Sequence, residues 1–164
     1  MSEFSIPIDR PPIQPCAVTL VFQDRQTLSG TIPLLPDPTH PRGITPLARL
    51  LNSERRFLPF EPEDKKILLV ARQALLMVKI PTKDPAADLE IPTPNFDFIH
   101  LHLLNGDSVS GTVSFVAPPS DSRMSDFFNR PEAFVPVEKD EHLLFISKSA
   151  IATISFWETG RSKP

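Results

Sequence analysis

Two stretches of this chain alternate apolar and polar residues with a period of two, the pattern of strands with one buried and one wetted face. In the first, Val18, Leu20 and Phe22 alternate with Thr19, Val21 and Gln23. After a bend at Asp24-Arg25, Leu28, Gly30, Ile32 and Leu34 alternate with Thr27, Ser29 and Thr31. In the second, Ile99, Leu101 and Leu103 alternate with His100, His102 and Leu104. After Asn105-Gly106, the stronger turn signal, Val109, Gly111, Val113 and Phe115 alternate with Ser108, Ser110 and Thr112. Each stretch reads as a β-hairpin. Gly30 and Gly111 fall mid-strand on the core face, where a glycine packs nothing. They mark a bend or a close backbone approach, the device by which a small sheet curls toward a barrel.

The two hairpins begin a longer correspondence. Laying Gly30 on Gly111 superposes Leu20 on Leu101 and Ser29-Gly30-Thr31 on Ser110-Gly111-Thr112. Further on, LNSERRFLPFE falls on FNRPEAFVPVE, aligning Asn52 with Asn129, Phe57 with Phe134, Pro59 with Pro136 and Glu61 with Glu138. Then ILLVARQALLMVKI falls on LLFISKSAIATISF, with Arg72 over Lys148 and Leu75 over Ile151. Collinear blocks of this kind point to a tandem duplication. The expected layout is a Pro-rich segment over 1–17, one unit over 18–80, a linker over 81–97, a second unit over 98–157 and a tail over 158–164. The linker has four Pro and four acidic residues, which predicts a stiff extended spacer. Residues 1–15 and the tail are expected to be loosely held.

Between the second and third strands of each unit the pattern predicts a short helix. Thr45-Pro46 reads as its N-cap and first turn in the first unit, with Leu47, Leu50 and Leu51 on one side. In the second unit Ser125 or Ser122 can cap a shorter helix carrying Met124, Phe127 and Phe128. Asn52 and Asn129 follow at once, and Asn tolerates the left-handed conformation that ends helices. The third strands, Phe57–Glu61 and Phe134–Glu138, contain Pro59 and Pro136, which predicts a sheet edge or a bend. A tight hairpin through Arg72-Gln73 or Lys148-Ser149 is expected to close each unit.

This order of strand, turn, bent Gly-containing strand, long connection and final hairpin resembles small SH3-like barrels, and among them the Sm/Hfq-like fold. The run Leu101–Gly111 and the closing residues 147–154 carry the likeness, which covers about forty residues per unit. It implies a mainly β fold of two tandem barrels, each with a short helix in its strand 2 to strand 3 connection. Sm-like proteins carry an Asp and an Asn soon after the bent strand, in their nucleotide-binding loop. Val116-Ala117-Pro118-Pro119 stands there in this chain, so RNA-binding residues do not carry over. The stretch Arg123–Asn129 also resembles a feature of uncharacterised bacterial small-domain families.

Composition narrows the picture further. Twenty Pro against five Gly argues against long helices and for short strands joined by stiff loops. A lone Cys16 has no intramolecular partner and fits a reducing compartment. The first residues show no basic-then-apolar leader, and no apolar run approaches the roughly 18 residues of a membrane span. The chain is expected to be soluble and cytoplasmic. Its net charge of −3 conceals an asymmetry. Residues 18–80 hold nine Lys/Arg and six Asp/Glu, net +3, whereas 98–156 hold four and seven, net −3.

Candidate chemistry is sparse. His100 and His102 project from one strand face at a spacing that suits a metal, with His142 as a third ligand. A solvated polar face explains the pair more simply. Arg42 and Arg123, placed alike before the two helices, suit a carboxylate or phosphate, or an internal tie to Glu61, Glu138 or Asp126. Arg49, Arg55, Arg56, Lys65 and Lys66 form a basic group that suits phosphate. Glu54, Glu61, Glu63 and Asp64 interrupt it, and the chain has no Tyr for base stacking. Cys16 has no neighbouring His or acid and reads as inert. No phosphate loop, nucleophile elbow or paired-carboxylate signature stands in the sequence.

The expectation is therefore a non-catalytic interaction or assembly module without a cofactor. It binds protein partners, other copies of itself included, through strand edges or loops and does not act at a membrane. A nucleic-acid binder using the basic face of the first unit is the alternative, and a metal or small-ligand sensor comes third.

Overall fold

A computed structural model of the protein describes residues 13–64, 66–91, 95–115 and 123–156. The first half runs β1 (Gln14–Phe22), β2 (Thr27–Leu34), α1 (Leu47–Leu51), β3 (Phe57–Pro62), β4 (Leu68–Ala71) and β5 (Leu75–Pro81). The second half runs β6 (Asn95–Leu103), β7 (Ser108–Phe115), α2 (Arg123–Phe128), β8 (Phe134–Lys139), β9 (His142–Ser147) and β10 (Ile151–Phe156). The protein is mainly β. Its strands form one antiparallel sheet in the order β10-β6-β7-β8-β9-β5-β1-β2-β3-β4.

Among the described residues that sheet is open and neither half closes on itself by hydrogen bonds, with β4 and β10 at its two edges. The expected final hairpins do not form. β4 pairs with β3, while β5 crosses to pair with β1 and β9. Likewise β9 pairs with β8 and β5, and β10 pairs with β6. The cause is local. A 3-10 turn at Arg72–Ala74, and another at Lys148–Ala150, replaces the two-residue bend of a paired hairpin. Each turn is anchored to the first strand's own bend, by Gln23 N–H to Ala74 O at 2.9 Å and by Leu104 N–H to Ala150 O at 2.8 Å.

The alternating patterns place the core as expected. Val18, Leu20, Ile32 and Leu34 are buried in the first half, and Ile99, Leu101, Val113 and Phe115 in the second. Two glycines permit the close approach of the third strand in each half. A Cβ on Gly30 would sit 2.7 Å from Pro62 Cα, and one on Gly111 would sit 2.6 Å from Val137 Cγ1. Pro59 and Pro136 lie in strands interior to the sheet, not at its edge. β2 meets β3 only at Gly30↔Pro62 and Thr31↔Glu61, and β7 meets β8 only at Thr112↔Glu138. Each proline stands beyond that short ladder, where its missing N–H costs no sheet bond.

The two halves share their cores. β8 and β9 bury both faces, so their sequence is an apolar run and not an alternation. Phe134, Leu143 and Phe145 pack with Leu47, Phe60 and Val78 of the first half. Val135, Val137, Leu144 and Ile146 pack with Ile99 and Phe115, joined there by Leu76 of β5. Each such buried side chain contributes about 1.5–3 kcal/mol, so the junction is built like a domain interior.

Other details depart from the sequence reading. Gln14–Ala17 belong to β1 and bury Cys16. Pro46 takes the N-cap position of α1 without a side-chain cap, and Ser125 lies inside α2; Ser122 lies outside the described residues. Asn52 ends α1 at φ −98°, not in the left-handed region, because its amide is used elsewhere. Residues 81–91 are no free spacer. Asp84 caps a 3-10 turn at Pro85–Ala87 by accepting from Ala86 N–H at 2.9 Å, and Ala86 and Ala87 are buried in the first core cluster. No helix among the described residues is long and apolar enough to cross a membrane.

Candidate functional site

Two features of the sheet stand out as places where another molecule could act: the junction between the halves and the open edge at β4. At the junction β5 and β9 pair antiparallel, with Val78↔Phe145, Lys79↔Leu144 and Ile80↔Leu143 in register. Asn52, at the end of α1, reaches across to accept the Phe134 backbone N–H at 2.8 Å. Beside it lies a cleft of about 420 Å³ lined by residues of both halves, Asn52, Phe134, Arg130 and Lys148 among them. The Lys148 ammonium donates to the Arg130 carbonyl at 3.0 Å, and burial pushes its pKa below the usual lysine range. Arg72, its counterpart, donates to the carbonyls of Leu51 and Ser53. Both cations therefore anchor the helix-to-strand loop of their own half.

At the other end, β3 and β4 repeat the geometry of β8 and β9. Phe57 stands opposite Ala71 and Pro59 opposite Leu69, as Phe134 stands opposite Ser147 and Pro136 opposite Phe145. Their surroundings differ completely. Phe134, Leu143 and Phe145 are 2%, 4% and 0% exposed, but the aligned Phe57, Ile67 and Leu69 are 54%, 73% and 71% exposed. An apolar surface that is core in one half is bare in the other, beside a strand whose outer edge pairs with no other described strand.

The basic residues named from the sequence divide into engaged and exposed groups. Arg49 is held internally, with Nε donating to Glu90 Oε2 at 2.9 Å and Nη1 to Asp37 Oδ2 at 2.9 Å. Hydrogen bonds from Thr39 and the Arg49 guanidinium hold the Asp37 carboxyl below its ordinary range. Arg42 is exposed in the loop before α1, where its backbone N–H donates to His40 Nδ1 at 3.1 Å. Arg55, Arg56 and Lys66 are exposed near β3 and β4. Lys65 and the Arg123 side chain lie outside the described residues. Asn129 ends α2, is exposed, and donates from Nδ2 to Ser125 O at 2.9 Å.

No family model, curated protein or solved structure matches this chain. The site must be read from its own chemistry.

The histidines do not converge. His100 and His102 share a face of β6 with ring centroids 4.7 Å apart, bonded to Ser110 and Ser108. His142 is on β9, separated from β6 by β7 and β8, and bonds to the Asp140 carbonyl at 3.0 Å. Among the described residues no three His, Cys, Asp or Glu gather as a metal site. Cys16 is buried, and desolvation followed by the nearby Asp84 charge pushes its thiol up to about 12. Sequence reasoning missed His40, which is buried with Nε2 at 3.1 Å from Asp88 Oδ2, too far out of line for a hydrogen bond. It also missed the bare triplet Phe57, Ile67 and Leu69. The available signal was the apolar run ILLV at 67–70, which is too continuous for a strand with one wetted face.

Proposed function

We propose that the protein is a non-catalytic interaction and assembly module that takes up an extended polypeptide strand along the β4 edge. One observation carries this reading: Phe57, Ile67 and Leu69 are exposed together beside an unpaired sheet edge. Such an edge offers backbone donors and acceptors for a further strand, and adjacent apolar side chains select which strand is taken. Isolated surface apolar residues are ordinary, whereas a contiguous patch marks an interaction site. Arg55, Arg56 and Lys66 fringe the edge and favour an acidic partner. The finer architectural reading is a tandem duplication of SH3-like or Sm-like units fused as a pseudo-dimer. The matching order of elements and the matching β3–β4 and β8–β9 registers support it.

The nucleic-acid alternative has less support, since Arg49 of the basic group is already paired with Glu90 and Asp37. Both readings are tested together by comparing the parent with Leu69→Lys. Capture of polypeptides from a host extract is expected to be lost in the variant and weakened by salt. RNA binding that survives Leu69→Lys, with no protein captured by either form, would overturn the reading.

A further inference from the structure

We propose that the occupant of the β4 edge is the β10 edge of a second copy, so that chains join head to tail through a copy of the junction each already contains. This names the partner of the interaction surface above and rests on that reading.

In the aligned blocks β4 corresponds to β9 and β5 corresponds to β10. The pair that holds the middle of the sheet is β9 on β5, and the strands left open at its two ends are β4 and β10. The chain thus carries one completed junction and the two unmatched halves of another. Transferring the β5–β9 register puts Ile154 opposite Leu69, Ser155 opposite Leu68 and Phe156 opposite Ile67 of the neighbour. The side chains agree with that register. Val78 and Ile80 face the buried Phe145 and Leu143 at the completed junction. Ile154 and Phe156 supply apolar counterparts for the exposed Leu69 and Ile67, and Phe156 is itself exposed.

Two further correspondences favour a second copy over an unrelated strand. At the completed junction Asn52 Oδ1 accepts the Phe134 N–H. Asn129 and Phe57 are their aligned counterparts, so Asn129 of one copy is placed to accept the Phe57 N–H of the next. Residues 18–80, which hold β4, have net charge +3 and residues 98–156, which hold β10, have −3. The acidic 81–91 segment packed on the first half lowers its total to +1, still opposite in sign to the second, so head-to-tail joining sets opposite charges together. A symmetric β4-to-β4 dimer would instead bring two basic halves together. A heterologous contact does not saturate at a dimer. It continues until a ring closes or a fibre grows.

The test uses the full chain. Light-scattering chromatography of the parent across a concentration series is expected to show species larger than a dimer, and Leu69→Lys is expected to be monomeric with an unchanged melting curve. Asn129→Ala is expected to weaken association about tenfold, as removal of one interfacial hydrogen bond does. Mixing Leu69→Cys with Ile154→Cys under mild oxidation should give a disulfide-linked dimer that neither variant forms alone; the native Cys16 is buried and stays silent. A Leu69→Cys homodimer would overturn the head-to-tail register. A parent that is monomeric throughout yet captures host polypeptides through β4 would overturn self-assembly and leave the interaction reading standing. A monomer that captures nothing would remove both.

Discussion

Phe134 donates its backbone N–H to Asn52 Oδ1 across 2.8 Å, joining the third strand of the second half to the helix end of the first. The bond ties α1 to β8 at a junction whose interior includes Phe134, Leu143 and Phe145. Asn52 has ordinary helix-terminal torsions, and its side chain links the two halves of the chain instead of serving a backbone reversal.

Asn52→Ala leaves the partly buried Phe134 N–H without its acceptor. The expected loss is about 1–3 kcal/mol of stability, read from urea unfolding. A parent-like midpoint would show that water replaces the amide.

Phe145→Ala removes a ring of the second half from the core cluster of the first, an expected loss of about 3–5 kcal/mol. Because the cluster is shared, both halves should melt in one transition in the parent and the variant, with calorimetric and van't Hoff enthalpies equal. Two resolved transitions would mean that the halves are energetically separate.

Gly30→Val and Gly111→Val each place a branched side chain against the backbone of the neighbouring third strand. Backbone cannot swing aside as a flexible side chain does, so each variant should lose at least the roughly 1–3 kcal/mol typical of overpacking. Thermal melts followed by circular dichroism check this. Alanine at either position already meets the same obstruction.

Limited trypsin digestion should cut after Arg42 before it cuts after Lys83. Arg42 is exposed in the loop preceding α1. Lys83 precedes Asp84, which caps the 3-10 turn that buries Ala86. Mass spectrometry of the first fragments decides the order.

The Cys16 thiol is raised to about 12 by burial, so the folded state favours its neutral form. A thiol that ionises at lower pH when unfolded contributes stability below that unfolded pKa, and the contribution is lost as pH rises toward the folded value. Alkaline pH should therefore lower the melting temperature of the parent more than that of Cys16→Ala. At neutral pH a thiol reagent should label Cys16 only upon unfolding.

The strands were legible in the sequence because their determinants are local. Alternation at Val18–Phe22 and Ile99–Leu103, the turn at Asn105-Gly106 and the glycines facing the third strands all act within a few residues, or against a neighbour fixed by short connections. The alignment of Phe57 with Phe134 and of Asn52 with Asn129 was equally plain. What alignment could not convey was that aligned residues would have opposite surroundings. Phe134, Leu143 and Phe145 are core only because β5 leaves its own hairpin partner and pairs with β9. Phe57, Ile67 and Leu69, of the same chemical type in the same register, are bare because among the described residues no strand pairs with the outer edge of β4. Burial depends on which distant strand arrives, and sheet pairing between separate segments is decided by the whole three-dimensional arrangement. The linker shows the same division. Its prolines and acids predict an extended spacer from local composition, but only the packed structure could show Ala86 in the core.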